Sequence, residues 1–306
     1  MIRRFRRRIS PALKRARTWV YRTTQKTAEL VGFHLVRKHF YSPIPDLREL
    51  PPSVWQRESS LPGIHFDPNR QLDYVSSELA GYLAEFRPPV MPAGALVESF
   101  WDNDLYQSVD SELLYAMIRC HQPRRVIEIG SGYSTLVSAS ACDENRHRGH
   151  EVELVSNDPF PQAMLSNVGG VSRLVPRGAT DIPLEEFSEL TAGDVLFIDT
   201  THTVKLGGDV NYLVLEVLPI LNSGVIVHIH DIFLPWEYPR SWALERRHWT
   251  EQYLVQAFLC FNRAYEILAS AQALARHFPG RLSELISSYD GNASPKALWM
   301  RRTEAA

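Results

Sequence analysis

Cysteine is scarce in this chain: Cys120, Cys142 and Cys260 are scattered over 306 residues and form no close pair of the kind a zinc or redox motif needs. That excludes a disulfide-stapled scaffold and favours a reducing compartment. Long apolar runs are missing as well. None reaches the roughly 18–20 residues of a membrane span, and the basic start lacks the roughly 7–15-residue apolar core of a secretory signal. A cytoplasmic protein is expected. Internal repeats are absent, and net charge nearly so, at -2.

The small net charge hides an asymmetry. Residues 1–26 carry ten Lys or Arg and no acid, which leaves 23 basic against 35 acidic side chains in the remaining 280 residues. A body that acidic argues against nonspecific nucleic-acid binding, which needs a basic surface to displace counterions from phosphates. The arm interleaves Ile2, Phe5, Ile9, Leu13, Trp19, Val20 and Tyr21 with its charges from Arg3 through Lys26. Such a pattern suits an interfacial helix on anionic lipid, and the competing reading is a solvated tail.

Three segments follow from composition: a basic arm over 1–40, a proline-rich connector with a helical extension over 41–109, and a regular domain over 110–306. Pro43, Pro45, Pro51, Pro52, Pro62 and Pro68 keep the connector irregular. A helix is expected at Leu72–Glu85 before Pro88, Pro89 and Pro92 interrupt again. Asp110, Ser111 and Glu112 offer a start for a helix at Leu113–His121. From Arg124 on, strand-like runs alternate with helical ones. Strands are predicted at Val126–Ile129, Glu151–Ser156, Val171–Pro176, Asp194–Asp199 and Gly224–His230. The helices between them are predicted at Thr135–Cys142, Gln162–Asn167, Leu184–Leu190 and Leu206–Leu221. This rhythm predicts an α/β fold, a doubly wound, mostly parallel sheet covered by helices on both faces. A helix at Glu251–Asn262 and late strands at Tyr265–Leu268 and Ala297–Arg301 break the rhythm and suit an antiparallel edge.

Ligands in such sheets bind at the carboxyl ends of the strands. The first strand stops at Glu128-Ile129-Gly130-Ser131-Gly132, a glycine turn that lets a ligand approach the main chain. A third glycine, which a dinucleotide fingerprint places at position 135, is lacking; Thr135 stands there. Glu128 is also a poor neighbour for a pyrophosphate and a good one for a cationic amine. Asp158 ends the second strand, where a carboxylate takes ribose hydroxyls or caps the segment starting at Pro159. Gly178-Ala179-Thr180-Asp181 after the third strand suits an adenine edge, with capping as the alternative for Asp181.

Asp199 ends the fourth predicted strand in Phe197-Ile198-Asp199-Thr200-Thr201-His202, and Asp231 the fifth in His228-Ile229-His230-Asp231. Adjacent carboxylates repel unless a cation relieves them, so Asp199 and Asp231 are expected as metal ligands, with His230 a further candidate. His202 is the expected general base, set to take a proton from a substrate hydroxyl. The loop Ile232–Pro239, with Trp242 and Trp249, offers aromatic faces for a sugar or planar acceptor, or else packs on the next helix. Trp101, Asn103 and Tyr106 are candidates for the opposite wall.

The glycine turn with its preceding acid resembles the motif of class I S-adenosylmethionine-dependent methyltransferases, over roughly residues 110–302. The resemblance implies a seven-stranded Rossmann-like sheet with one reversed strand, the methionine part of S-adenosylmethionine near Glu128, Gly130, Ser131 and Gly132, and its ribose on Asp158. Asp199 and His202 resemble the Asp-x-x-His of the catechol O-methyltransferase-like branch, which includes bacterial enzymes that methylate sugars. It implies a divalent metal such as magnesium and O-methylation of a small molecule or glycoside. The chain departs from the branch beside Asp231, where His230 and Ile232 stand in place of a further acid or Asn. Two other readings follow: a metal-independent O- or N-methyltransferase, and a binding protein that keeps the fold without chemistry.

Overall fold

The computed structural model describes residues 10–303, in two units that part between Leu50 and Pro51. The first nine residues, with Ile2, Phe5 and Ile9 of the basic arm, and the Leu13 side chain lie outside what is described. In the first unit Pro11–Leu30 is a helix that leaves Trp19 and Val20 exposed. Among the described residues no helix is long and apolar enough to cross a membrane.

The second unit is built on a seven-stranded sheet. Its strands are β1 (Arg125–Ile129), β2 (Glu153–Asn157), β3 (Arg173–Val175), β4 (Val195–Ile198), β5 (Ile226–Ile229), β6 (Tyr265–Ser270) and β7 (Leu298–Arg302), in the order β3-β2-β1-β4-β5-β7-β6. β1 to β5 pair in parallel, while β7 runs antiparallel to both β5 and β6, so one strand is reversed as expected. The central strands are nearly continuous apolar runs because both faces are covered. Val126, Val195, Phe197 and Ile226 face one core with the helices Asp110–His121 and Tyr133–His147. Ile127, Ile129, Leu196, Ile198, Val227 and Ile229 face the other, with Val210, Leu213, Val217 and Val255. The chain winds outward from β1 to β3 and returns to β4 on β1's other side. This reversal puts the topological switch point at the tips of β1 and β4, the crevice at which such sheets bind ligands.

Four predicted helices are shorter than the pattern suggested: Leu184–Leu190 ends at Ser188 and Glu251–Asn262 at Leu259, and the other two are cut back by proline and glycine. Gln162–Asn167 is a tight 3-10 segment at Ala163–Asn167, confined by Pro159 and Pro161 before it and Gly169-Gly170 after it. The run from Leu206 turns helical only at Asp209, because Gly207 (φ +68°) and Gly208 precede it. Residues 68–85 are continuously helical, with one wider turn at Val75–Leu79. Asp67 caps this segment by accepting from the Asn69 and Arg70 N–H groups at 3.0 and 3.2 Å, and Pro68 occupies the first turn. Val75, Leu79 and Leu83 are buried in the core of the helix Asp110–His121. Each such burial contributes about 1.5–3 kcal/mol.

Candidate active site

The glycine turn follows β1 directly. Gly130 adopts φ +89°, and a Cβ there would lie 1.8 Å from the Asp199 carbonyl oxygen, so the turn presses against the tip of β4 and admits no side chain. Its N–H donates to the Asn157 carbonyl at 2.8 Å. Gly132 is different: the nearest atom to a Cβ would be Gln162 Nε2 at 3.9 Å, which leaves room beside it. Thr135, standing where a dinucleotide fold has its third glycine, accepts the Gly132 N–H at 2.9 Å and so starts the helix Tyr133–His147.

The neighbouring acids are arranged differently from expectation. Glu128 is fully buried and accepts from Ser134 Oγ at 2.8 Å; burial pushes its carboxyl up to about 7. It lies beneath the turn without solvent contact, and its other oxygen, Oε2, has no hydrogen-bond partner. Asp158 is half-buried and already engaged. One oxygen accepts from both the N–H and the hydroxyl of Ser131 at 2.9 Å, the other from the Phe160 N–H at 2.7 Å. It therefore staples the tip of β2 to the glycine turn while making the turn at Pro159. Asp181 is exposed and folds back on the Gly178 N–H at 3.2 Å.

Across the crevice the structure brings Asp199, His202 and Asp231 together, with one donor atom of each within 4.8 Å of the others. His202 Nε2 lies 3.1 Å from Asp199 Oδ1 and 3.3 Å from Asp231 Oδ2. Its Nδ1 meets Glu251 Oε2 at 2.9 Å. Two of the three residues hold left-handed backbone, His202 at φ +54° and Asp231 at φ +58°. Non-glycine residues keep such angles where surrounding contacts over-determine them, and such sites cluster at functional centres. Here Thr201 is held by Asp209, which accepts from its N–H and hydroxyl at 3.0 and 2.7 Å. The His202 carbonyl accepts from the Thr250 and Glu251 N–H groups at 2.8 and 3.1 Å. Asp231 is buried, and the Lys296 ammonium sits 3.3 Å from its Oδ1. Lys296 is positioned in turn by Asp110, which accepts from the Lys296 N–H at 3.1 Å and the Ala297 N–H at 3.0 Å.

Electrostatics follow from this crowding. For His202 burial favours the neutral ring, but hydrogen bonds to Asp199 and Glu251 outweigh it and push the imidazole up to about 10. For Asp199 burial opposes ionisation, yet the imidazoles of His230 and His202 hold it well below the usual carboxylate range. The two hydrogen bonds to Asp199 and Glu251 favour the protonated ring of His202. Glu251 is raised by its burial, against the stabilising hydrogen bond from His202.

His230 lies outside the group of three. Its ring is buried beneath Tyr106, centroids 4.8 Å apart, and its Nε2 is 3.8 Å from Asp231 Oδ1. His228 belongs to the core, its ring between Phe197 at 4.4 Å and Trp299 at 4.5 Å; burial drives it well below the usual imidazole range. Most of the aromatic loop is packed inward: Phe233, Leu234, Trp236 and Tyr238 are buried, and Gln252 binds the Phe233 N–H at 2.6 Å and the Trp236 carbonyl at 3.0 Å. Trp249 stacks on His202 at 4.2 Å, and Trp242 crosses it at 4.8 Å with Arg247 and Lys296 over its ring. Asn103 is occupied in its own turn, accepting from the Leu105 and Tyr106 N–H groups.

The donor set fits a divalent cation. Adjacent ligands of an ion held at about 2.1 Å lie about 3 Å apart, as the two Nε2-to-carboxylate distances do. Two carboxylates and an imidazole suit a hard or borderline metal. Charge agrees: with neutral His202, the carboxylates of Asp199, Asp231 and Glu251 balance Lys296 and one divalent ion. Glu251, Lys296 and Asp110 were not singled out as site residues from sequence, since a helix-start glutamate 49 positions from its partner carries no local signal.

The sheet order and reversed β7 define a methyltransferase-type Rossmann fold. Residues 127–232 match a family model described as "Methyltransferase domain", which supports a class I S-adenosylmethionine-dependent methyltransferase. An uncharacterized protein of Archaeoglobus fulgidus is 27% identical over 168 residues, covering 50% of this chain and 72% of that protein. Solved structures of CmcI overlap with it, one holding SAH (14% identity, 71% of this chain and 98% of that one, TM-score 0.35). Another holds Mg and SAM (16% identity, 78% and 97%, TM-score 0.35). A SAM-dependent methyltransferase from Anabaena variabilis overlaps at 11% identity, 80% and 100% coverage and TM-score 0.33.

Proposed function

We propose that the chain transfers a methyl group from S-adenosylmethionine to a hydroxyl of a small molecule or glycoside, assisted by a divalent metal. The observation that carries this reading is the convergence of Asp199, His202 and Asp231 at the tips of β4 and β5, across the crevice from the glycine turn. S-adenosylmethionine supplies the methyl on its sulfonium; the open side of Gly132 and the Asp158–Ser131 pair would hold it. A divalent metal, when bound, supplies Lewis acidity that lowers the pKa of a hydroxyl. Asp199, His202 and Asp231 would hold that metal, magnesium being the natural candidate for two carboxylates. Asp199 is the most open of the three, its side chain 31% exposed, and so faces the incoming acceptor. Trp249 lies against His202 and Trp242 against Trp249, on one side of the same group.

His202 enters this reading as a ligand; it serves as a base only in a chain whose Nε2 is free of its proton. The second reading, metal-independent transfer, draws on Lys296 and protonated His202, which already neutralise part of the acidic cluster. Calorimetry with S-adenosylhomocysteine and turnover after exhaustive chelation separate the readings. We expect binding in both states and turnover only with metal restored. Undiminished turnover under chelation selects the second reading, and absence of nucleoside binding selects a non-catalytic scaffold.

The arm supports peripheral membrane contact, since Trp19 and Val20 stand exposed beside Arg22 and Lys26 on the helix Pro11–Leu30. Deleting residues 1–26 is expected to abolish co-sedimentation with anionic vesicles; unchanged sedimentation removes the idea.

A further inference from the structure

Three consecutive residues, Trp249, Thr250 and Glu251, all engage the loop that carries His202. Trp249 covers one face of the imidazole at 4.2 Å. The Thr250 N–H donates to the His202 carbonyl at 2.8 Å, while its hydroxyl oxygen accepts the Val204 N–H at 2.7 Å. Glu251, 1% exposed, meets His202 Nδ1 at 2.9 Å. Its other oxygen, Oε1, is buried without a hydrogen-bond partner.

A third carboxylate buried beside Asp199 and Asp231 is costly. Its cost is offset only by what it contacts, and the contact it makes is His202 Nδ1. The arrangement here is visible in the ring: with Nδ1 bonded to Glu251, Nε2 can only point into the gap between Asp199 and Asp231. An imidazole whose second nitrogen is held by a carboxylate has its tautomer and orientation set for a ligand at the first. The remaining role for Glu251, complementing the amino end of the short helix Glu251–Leu259, requires no contact with His202.

We propose that Glu251 is a positioning residue, which accepts the His202 Nδ1–H and thereby aims Nε2 at the Asp199–Asp231 gap. This rests on the reading of that gap as the metal site, but the orientation itself is testable without metal. In protein with 15N-labelled histidine and excess chelator, one slowly exchanging Nδ1 proton is expected downfield, assigned by its loss in His202→Gln. Glu251→Leu loses that signal, while Glu251→Gln, whose amide oxygen still accepts, keeps it. Thermal unfolding in chelator is expected to fall in Glu251→Leu, which leaves the buried His202 Nδ1–H without an acceptor, and to stay near the parent's in Glu251→Gln. In calorimetry with Mn2+, Glu251→Leu binds about ten- to a hundredfold more weakly than the parent, and S-adenosylhomocysteine binds both alike.

Persistence of the Nδ1 signal in Glu251→Leu, or its absence from the parent, overturns the proposal. So does complete loss of Mn2+ binding with the signal retained, which would make Glu251 a ligand itself. If the signal behaves as expected but neither the parent nor Asp199→Ala binds Mn2+, the positioning role stands and the metal reading falls.

Discussion

At the tips of β1 and β2 the polar groups described above are largely partnered: Ser131 with Asp158, Gly132 with Thr135, Gly130 with Asn157. At the tips of β4 and β5 carboxylates crowd together and two residues hold left-handed backbone, although each region also buries oxygens without a hydrogen bond, Glu128 Oε2 in the first and Glu251 Oε1 in the second. The first region is a cradle that keeps its own shape. The second is a charged cluster that persists only because neighbouring elements, chiefly residues 249–251 and Lys296, hold it. The proposed function puts binding in the relaxed region and chemistry in the strained one, in line with strain being concentrated where a fold works.

The division is tested hardest by Asp199→Ala and His202→Ala. Both are expected to cut turnover by about a thousandfold or more, some 4 kcal/mol of barrier, while S-adenosylhomocysteine binds within a few-fold of the parent. Normal methylation by either variant dissolves the distinction. Gly130→Ala tests the seam between the regions. Its Cβ would collide with the Asp199 carbonyl, so denaturant titration should show a loss of about 3 kcal/mol or more, and a near-neutral result would mean that the tips slide freely.

Glu128→Gln probes the floor of the cradle. The folded carboxyl is raised from 4.5 to about 7, so its protonated form favours folding below pH 4.5, and that contribution is lost as pH rises to about 7. Removing the charge should therefore stabilise the protein by about 2–3 kcal/mol at pH 8 and leave it unchanged at pH 4. Nucleoside affinity should not move; a large loss would return Glu128 to direct contact with the ligand. The smallest effect is expected of Asp158→Ala, which frees Ser131 and weakens S-adenosylhomocysteine by about tenfold, roughly 1.4 kcal/mol, with turnover at saturation preserved.

Both regions were readable in the sequence to the extent that they hang on strand ends. Alternating apolar runs predict the seven strands, and strand-end positions carry Gly130, Asp158, Asp199 and Asp231 to one edge without further information. What happens to each side chain there was less legible. Glu128 is buried beneath the turn and bonded to Ser134 six residues later, which the strand-end position does not announce. His202, expected as a base, also takes the place beside the two acids that was expected of His230, because a left-handed turn, which no local propensity announces, brings it back between them. Glu251 and Lys296 reach the site from elements 20 and 65 residues beyond Asp231, and only tertiary packing brings them there.

The clearance between Gly130 and the Asp199 carbonyl, enough for hydrogen and not for a methyl, keys β1 and β4 together through main-chain atoms. On the proposed function, the spacing between donor and acceptor is thereby set in the backbone, beyond the reach of any rotamer change. A new acceptor has to be accommodated by the loops around Trp242 and Trp249, and variants selected for altered substrates should collect there and leave the two strand tips untouched.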